Sequence, residues 1–449
     1  MTRHTKRQHA LLAAIPSPKT DAWTWTEDHP HPDVGADEVL IETHYVALNP
    51  VDWKGVKYRF GLTPEPKVMG RDGSGIVVAV GDGVTDLVAG DRVWYCSNTA
   101  LPHSGAFQHF SLHRASQVGK VPPSVSLQSA AAIGTGFLTA AVLLFKCFGF
   151  PVSKANVCRG RKTGPWIFIT AGASSTGIYL IQLAHRLGLR VITTASKPNH
   201  AYLKSLGADV VLKRHDKDHE LVHIIRKYTE DGVLLAVDNI GPKHSAVARE
   251  ILAGSTAWRA EHHITTPSDD TTGRLVSIAG SPKEVPVFPD AVRAVDEIRI
   301  SFSTTFYGQP EFAREIVNFV YSQLERGLLV PQRVFLDTSG LSGVRAALDV
   351  LEAGKVPSGY KLVVGGLKPL PSEAQIFTER ASAKARGRLE KRKHYHLDYD
   401  LFDLDDLEFD PDAEDAWPPS RKIARSTKPA SAPLPSAAAP AATVHSTVA

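Results

Sequence analysis

Cysteine is scarce in this chain. Only Cys96, Cys147 and Cys158 occur among 449 residues, with no paired spacing, so neither a disulfide framework nor a zinc knuckle is expected and a reducing, cytoplasmic setting fits. Charge imbalance is also small. Fifty-one basic against 47 acidic side chains leave a net charge of +4, which gives no reason to expect nucleic acid or an anionic membrane as a partner. No run reaches the roughly 20 apolar residues of a membrane span. The nearest approach, Ser129 to Phe150, is interrupted by Gly134, Thr135, Gly136, Thr139 and Lys146 and predicts a buried helix instead. Acids are missing from residues 1 to 20, where Arg3, Lys6, Arg7 and Lys19 give the look of a mitochondrial presequence. Gln8 to Ile15 nevertheless reads as the first strand of the fold, leaving too short a leader to remove. Histidines are common, but none is spaced as a metal ligand to another; His262, His263, His394 and His396 read as solvated.

What is present is enough apolar content, 43%, for two or three domains with substantial cores. Glu38 to Tyr45, Gly75 to Val80 and Asp91 to Trp94 are short β-branched runs, punctuated by Gly70, Gly73, Gly81, Gly83 and Gly90. They predict an irregular β-barrel with few helices. From Trp166 the pattern changes to alternating strands and helices, the signature of a doubly wound parallel sheet. Ile167 to Thr170 is a wholly apolar strand. The small-residue turn Ala171 to Gly177 follows and opens a helix whose N–H groups and positive dipole end favour a pyrophosphate. Leu180, Leu183, Ala184 and Leu187 share a helix face, Gly188 stops the helix, and Arg190 to Thr194 is the next strand.

That second strand ends in Ala195-Ser196-Lys197, where a site preferring NAD places an acid for the ribose hydroxyls. A lysine and a serine there suit a 2′-phosphate, so NADPH is the expected cofactor; the plainer reading of Lys197 is a solvated loop lysine. Further helices are expected at Asn199 to Leu206, Glu220 to Tyr228, Glu311 to Glu325 and Leu341 to Glu352. Further strands are expected at Val210 to Leu212, Val233 to Asp238, Arg274 to Ile278, Ile298 to Thr304, Pro331 to Phe335 and Lys361 to Val364. Ser255 to Gly273 reads as a long polar loop. Beyond residue 370 the composition becomes a basic run, an acidic run with interleaved Leu and Phe, and a Pro/Ala/Ser-rich end. That predicts a disordered tail over 371–449, either solvated or folding on a partner.

The segments GADEVLIETHYVALNPVDWK, VMGRDGSGIVVAVGDGVTDLVAGDRVW and SGAFQHFSLHRASQVGKVPPSVS, in that order, resemble the amino-terminal domain of the medium-chain dehydrogenase/reductase superfamily. Gly354 to Val364 resembles its final strand. Zinc-dependent members carry Gly-His-Glu where this chain has Gly70-Arg71-Asp72, and no cysteine ligand lies near Asn49, so no metal is expected. The likeness is to the zinc-independent quinone, alkenal and enoyl reductases, most closely the fungal stand-alone, trans-acting enoyl reductase type.

The resemblance implies a GroES-like substrate domain over 8–135 with return strands from about 331–367, and a Rossmann NADPH-binding domain over 136–330. The family fingerprint Ala-x-x-Gly-x-x-Gly is met at Ala171 and Gly177, with Ser174 in the middle, and Ser175 and Thr176 complete the turn. Ser196, Lys197 and Arg214 would bind the 2′-phosphate end, with Lys213 and Arg214 standing where relatives have a tyrosine; Asn239, Gly241 and Gly280 would lie beside the nicotinamide and ribose. Asn49 and Asp52 match an Asn-Pro-x-Asp element of the nicotinamide pocket, where Asn49 would contact the ribose or ring region, and either Lys54 or Tyr58 would be the proton donor. The expected activity is hydride transfer to an activated carbon–carbon double bond in a small or carrier-bound enoyl substrate. Quinone reduction, or an NADPH-binding scaffold acting through its acidic tail, are the alternatives. A polyketide-type synthase or another protein is the candidate partner of the tail. The chain is expected to be a monomer or a homodimer joined near residues 298–304.

Overall fold

A computed structural model describes residues 7–15, 22–62, 65–155, 164–213, 218–264, 272–280, 282–298 and 302–367. The expected tail, Arg214 and Cys158 lie outside these. Two main sheets carry the fold. The first is the barrel sheet, whose central strand Glu38–Ala47 pairs antiparallel with Asp72–Val80, Phe110–Arg114 and Tyr360–Val364. The last of these, paired in turn with Arg333–Asp337, is the chain's return to its first domain. The second is a six-stranded parallel sheet running 210–213, 190–195, 166–169, 233–238, 273–277, 295–297. Its central strand Trp166–Ile169 is fully buried, as its apolar sequence requires. This is the two-domain α/β architecture expected.

The first strand, Arg7–Ala13, agrees with the reading of Gln8 onward, but its partners Trp23–Pro30 and Lys67–Val68 were not foreseen. Trp23–Pro30 is mostly polar with little burial, so alternation could not mark it. The apolar run from 129 is buried and helical as expected, but broken into Leu127–Ala131, Gly134–Ala141 and a π-helical turn Val142–Cys147. The helix Ser175–Arg186 buries two faces, not one, because it packs against both the parallel sheet and helix Gly134–Ala141; Tyr179 accordingly donates to the Ala132 carbonyl (3.0 Å).

Two expectations are corrected. Of the strand expected at Ile298 to Thr304, residues 299–301 lie outside the described set, and Ser303–Tyr307 is π-helical. Phe306 and Tyr307 there are buried against each other and against Phe302, aromatic packing that outweighs strand propensity. The sheet edge is instead Val295–Glu297. The loop expected over Ser255 to Gly273 contains helix Thr256–Glu261, which Ser255 caps by accepting from the Trp258 N–H (3.1 Å) while the Trp258 side chain is buried. Among the described residues no helix is long and apolar enough to cross a membrane.

Candidate active site

At the carboxyl end of the central parallel strand, the chain turns over Ala171 and Gly172 into helix Ser175–Arg186. A Cβ on Gly172 would lie 2.3 Å from Thr193 Oγ1, and one on Gly177 would lie 2.5 Å from the Ala171 carbonyl oxygen, so the turn closes only with glycine at both. Ser174, where the fingerprint has glycine, is the helix N-cap: its Oγ accepts from the Gly177 N–H (3.1 Å). The N–H groups of Ser175 and Thr176 have no acceptor among the described residues and open the helix as an anion site.

Beside this turn, Thr170 Oγ1 donates to Asp238 (2.8 Å), and the Asp238 carboxylate accepts from the Ile240 and Gly241 N–H groups (3.1 and 2.9 Å). Burial raises the Asp238 pKa, and these hydrogen bonds oppose the rise. Asn239 donates through its side chain to the Thr170 carbonyl (2.7 Å), which leaves its own Oδ1 buried without a partner. Gly241 (φ 143°) and Gly280 (φ 100°) flank the same strand ends in left-handed conformations. An orphaned acceptor, unused N–H groups and a glycine cradle at adjoining strand ends fit a dinucleotide.

At the end of the second strand, Ser196 Oγ accepts from Asn199 Nδ2 (3.0 Å), which also reaches Ser358 on the returning segment (3.1 Å). Lys197 is exposed one residue further, and Lys213 is exposed opposite Ala195 on the neighbouring strand. Both lysines therefore stand at one corner.

The barrel contributes something the sequence did not show. Asn49 lies two residues past the central barrel strand and is the N-cap of helix Pro50–Lys57. Its side-chain amide donates to Asp72 Oδ2 (2.9 Å) and to the Ala47 carbonyl (3.3 Å), and its Oδ1 accepts from Lys361 Nζ. Lys361 also donates to Asp72 Oδ2 (3.1 Å). The second Asp72 oxygen accepts from both the N–H and the hydroxyl of Thr135 (2.7 and 2.6 Å). Asp72 and Lys361 are 0% and 3% exposed, so this is a buried ion pair with every strong partner supplied. Backbone pairing brings it together: Leu48 N–H donates to the Leu362 carbonyl (2.9 Å), which places Lys361 beside Asn49. Those internal hydrogen bonds fix the Asn49 side chain within the barrel.

Asp52, the last residue of the matched Asn-Pro-x-Asp element, accepts from the Asn49 N–H (2.8 Å). Burial pushes its pKa up to about 7, with the nearby Asp72 adding to the rise. Next to this knot, Cys96 Sγ contacts Thr135 Oγ1 (3.5 Å) and the Tyr307 hydroxyl (3.3 Å), and that hydroxyl donates to the Ser97 carbonyl (2.8 Å). Burial pushes the Cys96 thiol up to about 12 and Tyr307 well above its ordinary value, so both stay neutral.

Lys54 and Tyr58, the expected donors, are both exposed. Asp52, Gly55 and Val56 face inward on their short helix, and the 100° advance per residue turns 54, 57 and 58 outward. Tyr58 is 61% exposed, and Lys54 lies over the Trp53 ring (5.6 Å). Arg71, Asp72, Thr135, Tyr307 and Lys361 were missed as a group. Only the Gly70-Arg71-Asp72 departure from a metal motif could have drawn attention to them.

Comparison with known proteins gives the following. The pattern of the family described as "Alcohol dehydrogenase GroES-like domain" matches residues 35–123, and that of "Zinc-binding dehydrogenase" matches 175–254. The trans-enoyl reductase mycC of Thermothelomyces thermophilus is 31% identical, over 78% of this chain and 96% of the relative. A mycobacterial quinone oxidoreductase structure is 27% identical with a TM-score of 0.60, covering 80% of this chain and 99% of that one. A mycobacterial protein solved with NADPH is 25% identical with a TM-score of 0.59, covering 80% and 100%.

Proposed function

The chain belongs to the medium-chain dehydrogenase/reductase superfamily, in its trans-enoyl reductase group, and from that we propose that it is an NADPH-dependent, zinc-independent reductase of activated carbon–carbon double bonds. The observation that carries the cofactor choice is the corner at the second strand's end. Ser196 and Lys197 stand where an acid would select the unphosphorylated dinucleotide, with Lys213 beside them. When bound, the reduced nicotinamide supplies a hydride. The chain's own contribution is to hold it: the Ser175 and Thr176 N–H groups take the pyrophosphate, Asn239 Oδ1 accepts from the cofactor, and Lys197 faces the 2′-phosphate.

The residues present do not fit a catalytic zinc. Among the described residues no group of three or more His, Cys, Asp and Glu is arranged to hold a metal ion. Asn49 and Asp72 already surround an ammonium, that of Lys361, which occupies the place a cation would take. We propose the same division as the sequence suggests: 8–135 with 331–367 as the substrate-side domain, and 136–330 as the cofactor domain. The substrate would be a small or carrier-bound enoyl compound in the cytoplasm, with the tail as docking segment for a synthase.

The test is turnover of full-length protein with NADPH and with NADH on enoyl thioesters, alkenals and quinones, before and after dialysis against a chelator. NADPH-dependent reduction of an enoyl thioester or alkenal, unchanged by chelation, is expected. Activity on quinones alone, in keeping with the quinone oxidoreductase likeness, overturns the substrate class. Equal use of NADH overturns the cofactor choice.

A further inference from the structure

Arginines removed from water in this protein have acceptors, with one exception among the described residues. Arg186 donates to the Ala155 carbonyl, Arg249 pairs with Glu297, Arg259 pairs with Asp231, and Arg274 donates to the Cys147 and Phe148 carbonyls. Arg71 is half-buried and its guanidinium has neither an ion pair nor a hydrogen-bond acceptor among the described residues. Its N–H donors are not fully buried, so they stay open to water or to a ligand.

The backbone that carries this cation is nevertheless well supported. The Cβ of any residue but glycine at the preceding position 70 (φ 90°) would strike the Phe107 ring at 2.4 Å. The Arg71 carbonyl accepts from the Ser97 N–H (2.6 Å), and the following residue is Asp72, locked in the buried ion pair. The backbone is thereby pinned on both sides. Burial opposes the charge of Arg71, but the Asp72 carboxylate lies within electrostatic reach and a guanidinium keeps its proton throughout the ordinary pH range. None of Tyr307, Cys96, Asp52 and Asp72 accepts a hydrogen bond from it among the described residues, and the Tyr307 hydroxyl donates its proton to the Ser97 carbonyl.

We propose that Arg71 is the electrophile of the reaction, its guanidinium donating to the carbonyl oxygen of the enoyl substrate as negative charge gathers there. The inference rests on the reductase reading above. Hydride adds to the β-carbon, and the carbon–carbon π pair moves toward the carbonyl, giving an enolate whose oxygen Arg71 holds. A proton from water then adds to the α-carbon and the carbonyl re-forms. The nicotinamide is the reductant, the double bond is reduced, and Arg71 keeps all its protons. Unused donors fixed in advance at the site of developing charge are the arrangement such a step requires.

The experiment compares full-length wild type with Arg71→Met and Arg71→Lys. Binding of 4-nitrophenol, followed by the absorbance of its phenolate, reports the oxyanion site without turnover. Wild type should bind the phenolate form, Arg71→Met should bind it at least tenfold more weakly, and Arg71→Lys should fall between. NADPH affinity should stay within about twofold in all three. On any enoyl substrate that wild type reduces, kcat of Arg71→Met should fall ~10²-fold, with partial rescue by added guanidinium at millimolar concentration. Phenolate binding and kcat at wild-type levels in Arg71→Met would overturn the inference. If wild type reduces no enoyl substrate, the parent reading fails, and phenolate binding still decides whether Arg71 forms an oxyanion site. Should Arg71→Met not fold, Arg71→Lys with the same two readouts carries the decision.

Discussion

The nucleotide turn and the buried knot of the barrel are built on opposite plans. In the turn, strand, glycines, N-cap serine and the lysine at the second strand's end follow one another along a single stretch, Trp166 to Lys197. In the knot, Asn49 meets Asp72 across 23 positions, Thr135 meets Asp72 across 63, and Lys361 meets Asn49 across 312. The first holds a ligand by leaving backbone donors open. The second satisfies itself completely, and by doing so fixes Arg71 next to it with donors to spare. Local order makes a binding surface; non-local order makes a rigid frame.

The largest expected effect lies in the knot. Asp72→Ala leaves the Lys361 ammonium buried with only Asn49 for an acceptor, and removing one member of such a pair costs about 3–5 kcal/mol. Urea denaturation should show this, and Asp72→Asn combined with Lys361→Met should recover most of it, because neither charge then remains. A loss below about 1 kcal/mol for Asp72→Ala would mean that water reaches the pair, and the contrast between the two regions would disappear.

The turn should answer differently. Gly177→Val puts side-chain atoms onto the Ala171 and Gly172 carbonyls, which a Cβ alone already approaches to 2.5 and 2.7 Å. Crowding of that kind costs about 1–3 kcal/mol of stability. NADPH affinity should fall by more than tenfold in calorimetry, since the helix start must shift away from the pyrophosphate. Binding is thus lost faster than stability here, the reverse of Asp72→Ala.

This difference also decides how much could be read beforehand. The parallel sheet, the glycine turn and the position of Lys197 just past the second strand were legible because propensity and capping act within a few residues of each other. Lys361 was not, since a lysine inside the otherwise apolar run Tyr360 to Val364 reads as an edge or surface residue until the pairing of Val363 with Ala47 is known. The orientation of Lys54 and Tyr58 was not legible for a related reason: they follow a motif closely, and helical rotation carries them to the exposed face of their helix.

Between the two regions stands Asp52, which belongs to the knot's helix but has one oxygen, Oδ1, without a partner. Its pKa rises from 3.8 to about 7 on folding, chiefly through burial. The native state therefore keeps a proton that the unfolded chain releases between about pH 4 and pH 7, so this carboxyl's stabilising contribution is complete below pH 4 and is lost as pH rises through 7. Asp52→Asn has no such proton to lose. The difference in Tm, variant minus wild type, should grow as pH rises from 4 to 8, by a few degrees. A difference constant with pH would show that Asp52 stays ionised in the fold.

The smallest effect should come from the corner of the turn. Lys197 is exposed, so Lys197→Ala should leave Tm unchanged within about a degree. Its consequence should appear only in the choice of dinucleotide: NADPH weakened roughly tenfold and NADH hardly at all, because only the former presents a phosphate to an ammonium. Lys213 tests how localised that preference is. If Lys197→Ala and Lys213→Ala each remove part of it and together abolish it, the corner acts as a diffuse positive field that added salt should also weaken. If Lys197 alone carries it, the preference is a point contact set by the strand end, and the turn is as local in its selectivity as in its construction. Equal weakening of both dinucleotides by Lys197→Ala would place the lysine at the shared pyrophosphate instead, and selection of the phosphorylated form would then have to arise elsewhere on the nucleotide site.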